Sequence, residues 1–229
     1  ATTTGKVTAT IATTETVTEL ATLSADGGTN DLTIAIRSDD ATSSTAAQLN
    51  TINDATAVAV NLTNVTALAA SSLSDLGTLA TAIDNGEFSN ASGLTTIAVS
   101  DTTVDATTLA ARIDSYDSIN GGSATTDMTL ASGATINVDS GEITAMLADE
   151  TAGRLTIGDQ AITVNSAGTI SVDTANLLAA TTTGVVTASI TTTETVDELK
   201  TLTGTGNAYT IVIAGGDATG STAAEFNAI

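Results

Sequence analysis

The chain repeats itself. Residues 2–23 read TTTGKVTATIATTETVTELATL and residues 181–202 read TTTGVVTASITTTETVDELKTL, so 17 of 22 positions agree at an offset of 179. After a two-residue slip, residues 32–52 and 209–229 agree at 12 of 21 positions. Chance is no competitor for agreement of that length. The sequence is therefore expected to be a window cut from a longer array with a super-period near 177–179 residues. In that division 1–179 is one full super-repeat, and 180–229 begins the next, equivalent to 1–52. Repeats of this kind bury their apolar faces against neighbouring units rather than within themselves.

A smaller unit recurs inside the large one. Alternating segments at 32–36, 57–62, 96–99, 128–130, 134–138, 161–164, 169–172, 185–190 and 209–213 put Ile, Val and Leu on one face and Thr or Ala on the other, the period of a strand. Between some of them stand S/T-x-x-E/Q capping boxes: Thr16/Glu19, Thr45/Gln48, Thr195/Glu198 and Thr222/Glu225. In such a box the hydroxyl and the acid or amide satisfy each other's free backbone N–H groups, and each box here runs into Leu20, Leu49, Leu199 or Phe226. Asp105 and Asp173 have the look of further N-caps. Residues 63–82, with Leu68, Leu73, Leu76 and Leu79, predict one continuous helix. Gly27-Gly28, Gly121-Gly122 and Gly215-Gly216 supply corners of positive φ. Each pass of strand, turn, one or two helical turns and turn takes about 20–25 residues. The expected fold is mainly β: an elongated β-solenoid of stacked strand–turn–short-helix repeats.

Composition narrows function by exclusion. The chain has 50 Thr and 40 Ala but no Pro, Cys, His or Trp, and only 2% aromatic residues. Thiol and imidazole chemistry are therefore absent, as are disulfides. Five Lys+Arg against 26 Asp+Glu give a net charge of −21, which opposes nucleic acid and anionic membrane surfaces. No run approaches the roughly 20 apolar residues of a membrane-spanning helix, so membrane insertion is not expected. The first residues show neither the basic nor the apolar region of a signal peptide. Pro would remove ladder N–H groups from a long sheet, so its absence suits a strand-rich chain.

Calcium is the cation that an acidic chain without His and Cys would take, and the candidate ligands are Asp39, Asp40, Asp101, Asp105 and Asp217. Asp114 with Asp117 is a further acidic pair. Neither the EF-hand loop nor the glycine-rich nonapeptide is present, and carboxylates that cap turns and helix starts account for the same residues without a metal. Paired carboxylates at Asp149/Glu150 and Asp114/Asp117 lack the aromatic platform of a glycosidase, with Tyr116 standing alone. No base accompanies a Ser or Thr nucleophile, and no phosphate loop follows Gly204-Thr205-Gly206. No catalytic residue and no organic cofactor is expected, and the chain reads as a non-enzyme.

Residues 99–106 (VSDTTVDA), the Thr-Gly-x-Val-x-Ala element at 183–188, Leu202-Thr203-Gly204 and the STAAE run at 221–225 carry a family likeness. They resemble the Thr/Ala/Asp-rich repeat arrays of very large secreted cyanobacterial cell-surface proteins, of the hemolysin-type calcium-binding-like and swimming-motility-like kinds. The resemblance covers most of the chain. It implies an extracellular, type I-secreted, fibre-forming or cell-coating role. The expectation is a structural segment of an extracellular filament, sheath or surface layer, whose partners are copies of itself stacked end to end or side by side. The competing expectation is an adhesin or phage-fibre segment that binds a host-surface ligand, using a face around Phe88, Tyr116, Tyr209 or Phe226.

Overall fold

The computed structural model describes residues 5–23, 30–122, 126–165 and 168–229. The chain opens with β1 (Thr8–Thr10), α1 (Val17–Leu20), β2 (Asp31–Thr33), α2 (Ala46–Asp54), β3 (Val60–Asn61), β4 (Ala67–Ser71), α3 (Leu73–Asp84), β5 (Phe88–Ser89) and β6 (Thr96–Val99). It continues through β7 (Thr103–Asp105), α4 (Ala106–Ile119), β8 (Asp127–Thr129), β9 (Thr135–Val138), α5 (Ile143–Thr151), β10 (Leu155–Thr156) and β11 (Ala161–Val164). Last come β12 (Thr169–Ile170), α6 (Val172–Thr181), β13 (Val186–Ile190), α7 (Val196–Leu199), β14 (Ala208–Thr210), α8 (Gly215–Gly220) and α9 (Ala223–Phe226). Short 3-10 turns lie at Ser38–Asp40 and Ala91–Gly93.

Two compact units divide the chain. The first takes the described residues of Ala1–Asp101, Thr108–Ala131 and Asp149–Thr156; the second takes those of Thr102–Thr107, Ser132–Ala148 and Ile157–Ile229. The first unit holds the pairs β1-β2 and β3-β5 and a four-stranded sheet of order β10-β8-β6-β4. The second holds a sheet of order β12-β13-β11-β9-β7, with β14 also paired to β13. Every pairing between described strands is parallel. Parallel neighbours need a crossover between them, and helices occupy many of these connections.

Register turns the strand pattern into core. In the first unit Leu68 faces Ile97, Ile97 faces Met128 and Met128 faces Leu155, one buried apolar side chain per strand. In the second unit Val104, Ile136, Ile162 and Val186 form the same kind of row. Each such side chain contributes about 1.5–3 kcal/mol of burial. Helices add a second layer: Leu76 and Leu79 of α3, and Leu109, Ile113 and Tyr116 of α4, are all buried in the first unit.

That helical layer overturns the expected mainly-β solenoid. Helices supply 36% of the described residues and strands 21%, and the strands fall into separate parallel sheets, so the fold is mixed α/β. The physical reason is helix length. Instead of one or two turns, α3, α4 and α5 run for 12, 14 and 9 residues. Such helices bring their own buried stripes, and the core is not built from strands alone. The continuous helix predicted over 63–82 is likewise corrected. Its first half is β4, paired with β6 at Ala67↔Thr96 and Leu68↔Ile97, and Ser72 then caps the start of α3 by accepting the Asp75 N–H at 3.1 Å. The pairing outweighs the helix preference of Ala and Leu.

Local reading fares better at the caps. All four capping boxes form, at Thr16, Thr45, Thr195 and Thr222. Ser171, rather than Asp173, caps α6, and Asp173 sits in its first turn. Gly121 and Gly122 adopt φ of +83° and +73°, whereas Gly215 and Gly216 begin α8. The Gly27-Gly28 corner lies outside the described residues.

The two copies of the repeat agree at their paired strands and first helices, although α2 runs for 9 residues and its counterpart α9 for 4. β1 pairs β2 as Thr8↔Asp31 and Ala9↔Leu32, and β13 pairs β14 as Thr187↔Ala208 and Ala188↔Tyr209, the same register residue for residue. Val7 donates its N–H to Asn30 Oδ1 at 3.0 Å, and Val186 donates to Asn207 Oδ1 at 2.9 Å. The Thr22 and Thr201 hydroxyls each donate 2.7 Å bonds to the carbonyls of Glu19 and Glu198.

Candidate functional site

Two of the five acidic residues singled out by sequence, Asp40 and Asp101, serve the starts of helices. Asp40, buried in the 3-10 turn, accepts the Val17 N–H at 2.8 Å, the Arg37 Nε–H at 3.0 Å and the Ser43 hydroxyl at 3.2 Å. Val17 is the first residue of α1, so this carboxylate meets the positive end of a helix that lies 23 residues earlier in the chain. Asp101 does the same for α3, accepting the Leu73 N–H at 2.7 Å. Ser71 Oγ accepts from Ala46 at the start of α2, and Glu194 accepts from Val172 at the start of α6. Four helices are thus capped by a polar side chain from further along the chain, 22 to 28 residues on. Asp39 is exposed beside Asp40, Asp105 is exposed at the end of β7, and Asp217 lies in the first turn of α8. Among the described residues no group of three or more carboxylates is placed to hold a metal ion.

One cluster brings together residues that the sequence offers only as separate pairs. Arg154 Nη1 lies 2.6 Å from Asp117 Oδ2 and 3.3 Å from Asp114 Oδ1, and Arg154 Nη2 pairs with Asp149 Oδ1. Asp117 and Asp149 are buried while Asp114 is largely exposed. The hydrogen bond to Asp117, then that to Asp149, raises the Arg154 pKa above its ordinary value against the opposing effect of burial. One guanidinium is thus shared between two buried carboxylates and an exposed one. The arrangement ties α4 and the start of β10 to the last residues of α5 rather than forming an acid/base pair. Arg154 carries no signal in sequence, because two of its three partners lie 37 and 40 residues away and it follows the more conspicuous Asp149/Glu150.

Two cavities open in the first unit. One, of about 530 Å³, runs along α3 and is lined by Ser74, Gly77, Thr78, Thr81, Glu87 and Arg112 among others. Gly77 sits mid-helix, where glycine costs about 1 kcal/mol against alanine. A Cβ there would stand 2.6 Å from the Arg112 guanidinium, so its absence lets that group lie on the helix. Arg112 makes no ion pair among the described residues, and its buried Nε has no hydrogen-bond partner. Glu87 is held by Asn53 and Asn85, and the Thr78 and Thr81 hydroxyls donate to helix carbonyls. Those hydroxyls are therefore tied to backbone rather than to a base.

The other cavity is a groove of about 500 Å³ beside β1 and α1, lined by Thr10, Ile11, Ala12, Glu15, Glu19, Leu20, Thr22 and Leu23. Ile11, Leu20 and Leu23 supply the large apolar side chains of its lining. The lining also includes two carboxylates, Glu15 and Glu19. Glu19 is held below the ordinary glutamate range by the Thr16 N–H and hydroxyl. Burial raises the pKa of Tyr116, whose hydroxyl donates to the Leu76 carbonyl; Phe88 is buried too, so neither aromatic offers a surface. Tyr209 is partly buried and Phe226 exposed.

Comparison with protein-family models, with curated proteins and with solved structures returns no match to this chain. Among the described residues no helix is long and apolar enough to cross a membrane.

Proposed function

We propose that this chain is a non-catalytic structural segment of a repeating extracellular assembly, a filament, sheath or surface layer, in which copies of the same unit succeed one another. One observation carries the reading: the second copy rebuilds the first with the same strand register, the same Asn-to-N–H bond and the same capping box. An element reproduced at this precision is a building unit. Its acidic surface, at −21 net charge, keeps neighbouring copies soluble and apart. Thr and Ala supply small, β-compatible side chains on the faces that lie between buried rows.

Immunogold labelling of intact source cells with antibody raised against the purified 229-residue chain tests this. Regularly spaced label on an external fibre or coat is the expected result. Label confined to the cell interior would overturn it.

A further inference from the structure

The groove beside β1 and α1 has a filled counterpart in the second copy. At the offset of 179, Thr10, Ile11, Ala12, Glu15, Thr22 and Leu23 correspond to Ser189, Ile190, Thr191, Glu194, Thr201 and Leu202. There β12 and α6 lie against the same wall. β12 adds a parallel strand to β13, with Thr169↔Ser189 and Ile170↔Ile190. Thr191 donates its N–H to the Ile170 carbonyl at 2.9 Å. The first amide of α6, on Val172, donates to Glu194 Oε1 at 3.3 Å, and Asn176 Nδ2 donates to the Thr201 carbonyl at 3.0 Å. Val172, Ala175 and Leu178 are buried.

The first copy keeps most of the groups that receive this segment, although Leu32 stands where the Tyr209 hydroxyl donates to the Ala175 carbonyl. Ile11 and Leu23 are apolar as Ile190 and Leu202 are, Glu15 stands where Glu194 stands, and Thr22 where Thr201 stands. Main-chain N–H at Ala12 replaces that at Thr191. Yet all three residues of β1 are exposed, and among the described residues β1 pairs only with β2. An exposed edge strand beside an apolar groove is a template for strand addition. The charge fits as well: Glu15 faces the place where the positive end of a docked helix would come.

We infer that the groove of the first copy is a docking site for a strand–helix segment with the pattern of residues 169–178 (TISVDTANLL). The segment adds a parallel strand to β1 along Thr10 and Ile11 and seats the start of its helix on Glu15. This deepens the array reading, on which it rests, by naming what each repeat receives from its neighbour.

The test adds residues 157–179 ahead of Ala1 in the full chain, so that the added segment meets the first copy as it meets the second. Hydrogen exchange is monitored at the Ala12 N–H, the counterpart of Thr191. Docking slows exchange there by about tenfold or more, the protection expected of a bonded strand amide. Glu15→Ala reduces that protection about fivefold, the usual effect of losing a helix cap. An added segment with Asp in place of Val172, Ala175 and Leu178 leaves Ala12 unprotected. Protection in β13 and β14 reports throughout that the chain is folded. Unchanged exchange at Ala12 in a folded, extended chain overturns the docking site, while external labelling of cells would still stand for the array. Protection of Ala12 in the unextended chain, together with a dimer by scattering, overturns the identity of the segment in favour of a second molecule.

Discussion

Residues 7–52 and 186–229 share one sequence pattern, the same register in their paired strands and the same capping boxes, but they bury opposite sides. In the first copy β1 is exposed, whereas Ala46, Leu49 and Ile52 of α2 are fully buried at 0% exposure. In the second copy Val186, Ala188 and Ile190 of β13 are buried, whereas the counterparts of α2 are open, with Phe226 at 37% and Ile229 at 38% exposure. The cause lies in the flanking chain. The first copy is covered by chain on its C-terminal side: Asn61 bridges Ala35 and accepts the Ile36 N–H, Ser71 caps α2, and the Asn50 side chain donates to the Asp75 carbonyl. The second copy is covered by chain on its N-terminal side, through β11, β12 and α6. Sequence sets the shape of the unit, and its neighbours decide which side leaves water.

Paired substitutions can break this contrast. Placing a charge at Ala188 is expected to cost more than about 3 kcal/mol, since an unpaired carboxylate would be buried against neighbouring strands, while Ala9→Asp on exposed β1 stays within about 0.5 kcal/mol. Urea unfolding measures both; similar losses would mean the two strands are equally covered. Next in size, Leu49→Ala should cost about 3 kcal/mol through lost burial and the cavity left behind, and Phe226→Ala about 1 kcal/mol or less. Helix caps sharpen the comparison from the other direction. Thr16→Ala and Thr195→Ala are each expected to cost about 1 kcal/mol, because both boxes have the same bonds. Unequal costs would show that the local geometry is not shared.

The smallest expected effect is a dependence on pH. Backbone and hydroxyl donors of Thr16 and Thr195 hold Glu19 and Glu198 below the ordinary glutamate value of 4.5. The charged forms are favoured by folding, so the contribution is complete above 4.5 and lost as pH falls through the lower folded value. The box of α2 uses Gln48, which does not titrate in this range. Exchange at the Thr16 and Thr195 N–H groups, corrected for intrinsic rates, should therefore quicken as pH falls through their lowered values, while that at Thr45 does not.

The parts of this architecture legible in sequence are those set by near neighbours along the chain. The strands at 96–99 and 161–164 and all four capping boxes depend on residues within a few positions of one another, and they form where the pattern places them. The fold class is not of that kind. The helix preference of Ala and the strand preference of Thr are weak and stand side by side in these segments, so the length of α4 and the strand at Ala67–Ser71 are decided by partners some 30 residues away. The Arg154 cluster is hidden for the same reason. Asp40 and Asp101 stand out as acids, but their role at distant helix starts emerges only once the strands are in register.

Hydrogen exchange on the unmodified 229-residue chain tests the central claim most directly, through two pairs of equivalent amides. Ile36, bonded to the Asn61 carbonyl, is expected to be protected and its counterpart Ile213 open; Thr191, bonded to the Ile170 carbonyl, is expected to be protected and its counterpart Ala12 open. That crossed pattern is the signature of one unit covered from different sides. Equal protection within each pair, with both copies slow or both fast, would contradict the account.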